Sequence, residues 1–305
     1  MGIDLSIIWF VIIVFATLMY IVMDGFDLGI GILFPATPNA DDRDVMVNSV
    51  APVWDGNETW LVLGGAALFG AFPLAYAVII DALTIPLTIM LIGLIFRGVA
   101  FEFRFKATPA HRPFWDKAFI GGSIVATFSQ GVTVGAVIHG FSVTGRAYSG
   151  GPFDWFTAFN LFCGAGLVVA YALSGSTWLV MKSENTLQQR MRQISKVLLL
   201  LLLVFIAAIS IWTPLAQPTI AARWFTLPNL FYLLPVPALV VILSLCQWRC
   251  LNDPASHTLP FIMTIGLLFL GFIGLGISIW PHIIPPDITL WQAAAPAQSQ
   301  GFMLV

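Results

Sequence analysis

The sequence predicts an all-α membrane protein, a polytopic helix bundle with eight spans in view and a ninth expected beyond its last residue. Three observations carry this. Of 305 residues, 59% are hydrophobic and only 9% charged, against about 25% charged in an ordinary soluble domain. The apolar runs last about 20 residues, the length of a crossing helix, whereas barrel strands would alternate over about 10. The basic residues are strongly one-sided: eleven of the 13 fall on alternate connections that share one membrane face. The net charge of −2 by itself says nothing about nucleic acid, but no basic patch lies outside the loops, and no nucleic-acid partner is expected.

Taken in order as one transmembrane domain, 1–305, the first span is expected over about 5–34. Its opening run, Ile3 to Phe34, is too long for a cleavable signal peptide and lacks a basic start and a small-residue cleavage site. It ends in MDGFDLGIGILFP, where Asp24 and Asp27 stand i, i+3 and Gly25, Gly29 and Gly31 allow another helix to come close. The mostly apolar residues after Asp27 put at least one of these acids inside the hydrocarbon core. A short acidic loop, PATPNADDRD, follows. The second span is expected over 52–72, and the third over 76–97 with Asp81 and the breaker Pro86. Arg97 is read as opening a charged loop that holds Glu102, Arg104, Lys106, Arg112 and Lys117. The fourth span, 119–141, holds Gln130 and His139; the fifth covers 157–181. KSENTLQQRMRQISK reads as a polar loop or an amphipathic helix end before the leucine-rich sixth span, 197–215, whose leucine face suits lipid. The seventh and eighth spans cover 229–248 and 259–281, and the chain then closes on GFMLV, the apolar start of the expected ninth span.

Orientation follows the positive-inside bias. Arg43, the run from Arg97 to Lys117, the run from Lys182 to Lys196, and Arg249 lie on one side; Arg146 and Arg223 lie on the other. The bias puts the N-terminus outside, with the loops of Lys106 and Arg192 in the cytoplasm of a multi-pass membrane protein.

The stretch that stands out chemically is APVWDGNETWLVL, 51–63, which sets Asp55 and Glu58 between Trp54 and Trp60 at the head of a span. An acid in a span is costly and needs a reason. Two readings stand. Both acids cap the helix start, where carboxylates meet free N–H groups; or they form a proton- or ion-handling site at the mouth of the bundle. Spaced i, i+3, they share a helix face. The motif D-G-N-E faintly echoes D-G-F-D of the first span, and both lie toward the same membrane surface. Together Asp24, Asp27, Asp55, Glu58, Asp81, Glu102 and Lys106 put the charge handling in the first half of the chain, because spans six to eight carry no comparable set. Arg97 is a candidate to neutralise a buried acid such as Asp81 or Asp24. Glu102 and Lys106, spaced i, i+4, read equally as a surface pair of little energetic value.

Metal and haem ligands are sparse. His111 and His257 fall in loops, His139 and His282 near outer span ends, and no H-x-x-x-H pair occurs. One histidine could hold one axial position of a haem, but a single histidine at a span end reads as interfacial. Cys246 and Cys250 are i, i+4 without further ligands and read, with Cys163, as small apolar residues. No phosphate-binding glycine loop, G-x-S-x-G elbow or H-E-x-x-H motif is present.

DGFDLGIGILFP, followed by NSVAPVWDGNETWLVLGGAALFGAFPLAYA, then IFRGVAFEFRFK and PPDITLWQAAAPAQSQGFMLV, resembles subunit II of cytochrome bd-type quinol oxidases. The likeness runs the length of the chain, and the W-D-G-N-[EQ]-x-W block is specific to that subunit. The opening wording is nearest to the cyanide-insensitive branch. The resemblance implies nine spans, and a larger partner, subunit I, of the same general bundle fold. That partner holds two b-type haems, haem d and the quinol-oxidising loop, so this chain binds no cofactor alone. A structural quinone between the helices and small single-span accessory subunits are compatible with it. The complex, in the bacterial cytoplasmic (inner) membrane, would oxidise quinol, reduce O2 to water and draw its protons from the cytoplasm. Carried over by position, the family's proton path matches Asp55, Glu102 (aspartate in other members) and Lys106; a tyrosine from the last span would fall beyond Val305. With Glu58 beside Asp55, the expected roles are Lys106 drawing in proton-bearing water, Glu102 relaying, and Asp55 passing protons to the partner. Two other classes compete: a proton-coupled secondary transporter, built on inverted repeats and broken midplane helices, and a purely structural membrane partner.

Overall fold

The computed structural model describes residues 4–304. The ninth span expected past Val305 lies outside the described residues. Helix α1 (Leu5–Leu33) ends in a 3-10 turn (Phe34–Ala36), and a short α2 (Ala40–Asn48) follows. Then come α3 (Trp54–Ala71), α4 (Pro73–Lys106) and α5 (Arg112–His139), with a small hairpin of β1 (Val143–Thr144) and β2 (Ala147–Tyr148). After α6 (Ala158–Lys182) and α7 (Asn185–Ala216), short α8 (Pro218–Phe225) and α9 (Asn229–Leu233) lead to α10 (Pro235–Asn252) and α11 (Leu259–Ile279). A second hairpin, β3 (His282–Ile284) with β4 (Ile288–Thr289), and helices α12 (Leu290–Ala293) and α13 (Ala297–Phe302) complete the order.

Among the described residues seven helical stretches are long and apolar enough to cross a membrane; of the eight expected spans, the second, 52–72, is the one not among them and falls on the 18-residue α3, whose first turns carry the acids. Two helices run well past the apolar stretch that announces them. The charged sequence after residue 97 is a continuation of α4, not a loop: Arg97, Ala100, Phe101 and Arg104 are buried at helical spacing, while Glu102, Phe103, Phe105 and Lys106 are exposed. The polar KSENTLQQRMRQISK segment is likewise mostly the first turns of α7. Pro86 sits inside α4 with non-helical dihedrals at Leu83, because proline removes a backbone N–H and its ring crowds the preceding turn.

At the centre, α6 packs against α1, α5, α7 and α11. Small residues make this possible. A Cβ on Gly29 would lie 2.0 Å from the Tyr171 carbonyl oxygen, and one on Gly175 would lie 2.6 Å from the Gly29 backbone. The two backbones therefore touch where α1 crosses α6, and Phe26 stacks on Trp178 next to the crossing, centroids 4.2 Å apart. Gly93 and Gly122 play the same part between α4 and α5.

The ends of the helices sort into two rims. One gathers the end of α1, α2, the start of α3, the end of α4 and the start of α5. The other gathers the start of α1, the end of α3 and the C-terminal segment, where the Trp9 indole donates to the Gln300 carbonyl (3.0 Å), Ala295 N–H to the Ala71 carbonyl (2.8 Å) and the Trp291 indole to the Asp4 carboxylate (2.8 Å).

Candidate functional site

Below the α2 rim, three helices aim charged side chains at one point. Asp24 and Asp27, one turn apart on α1, are fully buried, as is Arg97 on α4. Glu58, in the second turn of α3, has a side chain 29% exposed and is hydrogen-bonded to Arg97 Nη1. Arg97 Nη2 lies 3.4 Å from Asp24 Oδ1 and 3.7 Å from Asp27 Oδ2. Asn57, next to Glu58 and buried, donates its amide to Asp27 Oδ2 at 2.6 Å and to the Met23 carbonyl at 3.2 Å. The guanidinium lies over the Trp54 ring, 5.6 Å from its centroid, an attraction to the electron-rich ring face. D-G-F-D and D-G-N-E are thus joined through one arginine. Both Asp24 oxygens, Asp27 Oδ1, and Nε and Nη2 of Arg97 have no hydrogen-bond partner among the described residues. Among those residues no group of His, Cys, Asp and Glu is arranged to hold a metal ion; the three acids face a cation of the protein instead.

The remaining predicted residues sit elsewhere. Asp55 is in the first turn of α3 and exposed; Glu102 and Lys106 are exposed on the last turns of α4, with no ion pair between them among the described residues. Trp54 and Phe101 pack at 5.1 Å between centroids, so Asp55 and Glu102, the next residue on each helix, belong to adjoining turns. Asp81 corrects an expectation: read from the sequence as buried charge, it is exposed, and no ion pair reaches it among the described residues. It lies on the outward face of α4, two residues before the distorted Leu83. Of the two acids named for Arg97, it is therefore Asp24 that the arginine meets.

A second charged cluster went unread in the sequence. Asp116 on α5 accepts from Arg43 of α2 (2.8 Å) and from Arg104 of α4 (2.6 Å), while Asp44 accepts from Arg104 (2.6 Å) and Arg112 (3.3 Å). Arg43 also caps the carbonyls of Phe34 and Thr37, and both Arg43 and Arg104 lie over the Phe34 ring. This clasp ties α2, α4 and α5 to the end of α1. Its one available sequence signal was the acidic ADDRD stretch opposite a run of arginines.

The family model for cytochrome bd terminal oxidase subunit II matches residues 5–305. The chain belongs to that family. Cytochrome bd-I ubiquinol oxidase subunit 2 of Escherichia coli K12 is 29% identical over 329 aligned positions, covering 95% of this chain and 86% of that protein. The probable cytochrome oxidase subunit 2 of Haemophilus influenzae is 32% identical over 215 residues, 68% of this chain and 57% of that protein. The solved bd oxidase of Geobacillus thermodenitrificans shares the fold, with a TM-score of 0.79 over 99% of this chain and 93% of that one at 16% identity. As a subunit II of this family, the chain is a multi-pass membrane subunit of a respiratory oxidoreductase. Its histidines do not converge: His111 pairs with Thr108 (2.8 Å), His257 with Gln188 (2.9 Å), His139 ends α5 and His282 lies in β3.

Proposed function

We propose that this chain is the second subunit of a quinol:O2 oxidoreductase of the bacterial cytoplasmic membrane, bound to a larger, haem-bearing subunit I. It supplies the subunit interface and the inner part of a path that delivers protons for the reduction of O2 to water. The observation that carries the reading is the family match from residue 5 to residue 305. The N-terminus faces outward and the α2 rim faces the cytoplasm, in keeping with eleven of 13 basic residues on that side. The haems belong to subunit I. Exposed Val62 and Phe69 on α3, and Ile95 and Phe96 on α4, offer an apolar face to lipid or partner, and Asp55 lies at the head of the same α3. Lys106 at the rim attracts proton-bearing water, Glu102 one turn deeper relays, Asp55 passes protons toward the partner, and Glu58 links this surface to the buried acids.

Asp55→Asn in the purified complex tests the path. Oxygen uptake falls while haem spectra stay those of the wild type; full uptake removes Asp55 from the path. The complex itself is tested by what purifies with the chain in detergent: a pigmented larger subunit is expected, and a colourless chain on its own sinks the reading.

A further inference from the structure

We propose that Asp24, Asp27, Glu58 and Arg97 form an electrically neutral proton store, in which one carboxylate at a time pairs with Arg97 while the other two carboxyls hold protons, and Glu58 is the member that exchanges them with the surface. The inference rests on the proton-path reading and assigns that path a buried reservoir.

The argument is one of charge and geometry. Three carboxylates against one guanidinium leave two negative charges without a counter-charge, and no other basic side chain reaches them among the described residues. At this depth uncompensated charge is far more costly than bound protons. The groups facing the cluster are Tyr20 and Met23 on α1, Trp54, Asp55 and Asn57 on α3, and Tyr171 on α6, none of them cationic. The Tyr20 hydroxyl itself accepts from Gln130 at 2.6 Å. Contact distances then sort the acids. Glu58 alone is hydrogen-bonded to Arg97 and alone reaches the surface. Asp24 and Asp27 stand at 3.4 and 3.7 Å from the other guanidinium nitrogen, too far for full ionic hydrogen bonds. Their unpartnered oxygens and the unpartnered Nε and Nη2 face one another in a fully buried space.

Transfer conserves charge. The O–H bond of an aspartic acid breaks, an O–H bond forms on the Glu58 carboxylate, and Arg97 exchanges Glu58 for the aspartate now ionised. Arg97 stays protonated, so the cluster is neutral before and after this internal step; when Glu58 then gives its proton to surface water, the cluster carries one negative charge until water returns a proton to the same carboxylate. Arg97 is a positioning residue here, and nothing is oxidised or reduced.

The test is infrared difference spectroscopy of the intact complex in H2O and D2O, with oxygen uptake read in parallel. A carboxylic C=O band that shifts in D2O is expected at neutral pH and is lost in the Asp24→Asn, Asp27→Asn double variant. That variant keeps its haem content, because neutral amides replace neutral acids. In Glu58→Gln the band weakens, as one aspartate ionises to balance Arg97. A double variant with the wild-type carboxylic band overturns the proposal. So does a double variant that fails to assemble until Arg97→Gln is added, because the aspartates would then be the ionised partners. Should the double variant not assemble at all, Glu58→Gln decides: a weaker band supports the store, an unchanged one overturns it. Normal uptake in Asp55→Asn with the expected band changes removes the path and leaves the store; slowed uptake with no band change removes the store alone.

Discussion

Replacing Gly29 with alanine tests whether the bundle depends on backbone contact between α1 and α6. The added Cβ meets the Tyr171 carbonyl oxygen at 2.0 Å and the Gly175 amide nitrogen at 2.9 Å. Neither is a side chain that can rotate away. Restoring an ordinary contact requires the helices to part by about 1.4 Å, and a gap of about 1 Å already forfeits up to half of the attraction of each apolar contact it opens. Those contacts include the Phe26–Trp178 stack beside the crossing. Overpacking typically costs about 1–3 kcal/mol, and with no rotamer to relieve it Gly29→Ala belongs at the upper end, ~3 kcal/mol. Unfolding by SDS in mixed micelles, followed by circular dichroism, measures the loss. The control is Gly271→Ala on α11, where nothing lies within 4 Å of the added carbon; there alanine's helix preference should leave stability equal or up to about 1 kcal/mol higher. If Gly29→Ala unfolds at the same SDS fraction as Gly271→Ala, close packing of the two backbones does not hold the bundle together.

Three further outcomes are expected. Arg97→Ala strips from three acids the only cation that reaches them among the described residues and should lower assembled yield, by an amount corresponding to ~3 kcal/mol for a broken buried pair; adding Glu58→Gln should restore most of it, and an unrescued double variant counts against Glu58 as the ionised partner. Asp116→Asn should destabilise the chain by ~2–3 kcal/mol because Asp116 holds both Arg43 and Arg104 with its side chain 12% exposed, whereas Asp44→Asn, at 34% exposed, should cost ~1 kcal/mol; thermal unfolding of the purified complex ranks them. At the other rim, the Trp291 indole beside Asp4, helped by the Ser6 and Ile7 amides, holds the Asp4 carboxyl below its usual range. Such a group contributes stability above its unfolded-state pKa, and the contribution disappears as pH falls through the lowered one. Proteolysis of the C-terminal segment should therefore rise on acidification, and Asp4→Ala should give the high rate already at neutral pH.

Much of the architecture was legible because membrane insertion is decided locally. A run of about 20 apolar residues announces a crossing whatever surrounds it, so the positions of the crossing helices could be read directly. Helix ends were not so legible, because a charged stretch reads as a loop unless its partners are known. Arg97 and Arg104 looked like loop charges; they lie on the buried stripe of a continuing helix because α1, α2, α3 and α5 bring acids to them. The same limit applied to Asp55 and Glu58. Three residues along a helix turn by about 300° rather than a full circle. On α3, packed chiefly on α1, that offset separates Asp55, which faces outward, from Glu58, which meets Arg97. Asp81 was misjudged for the reverse reason: depth along a span can be read from sequence, but which way a side chain faces cannot. Composition and the run of motifs were enough to determine the membrane class and the family likeness. Only the tertiary structure could decide which acids share a cation, because residues 24, 58 and 97 come from three helices whose crossing is set by packing, not by sequence distance.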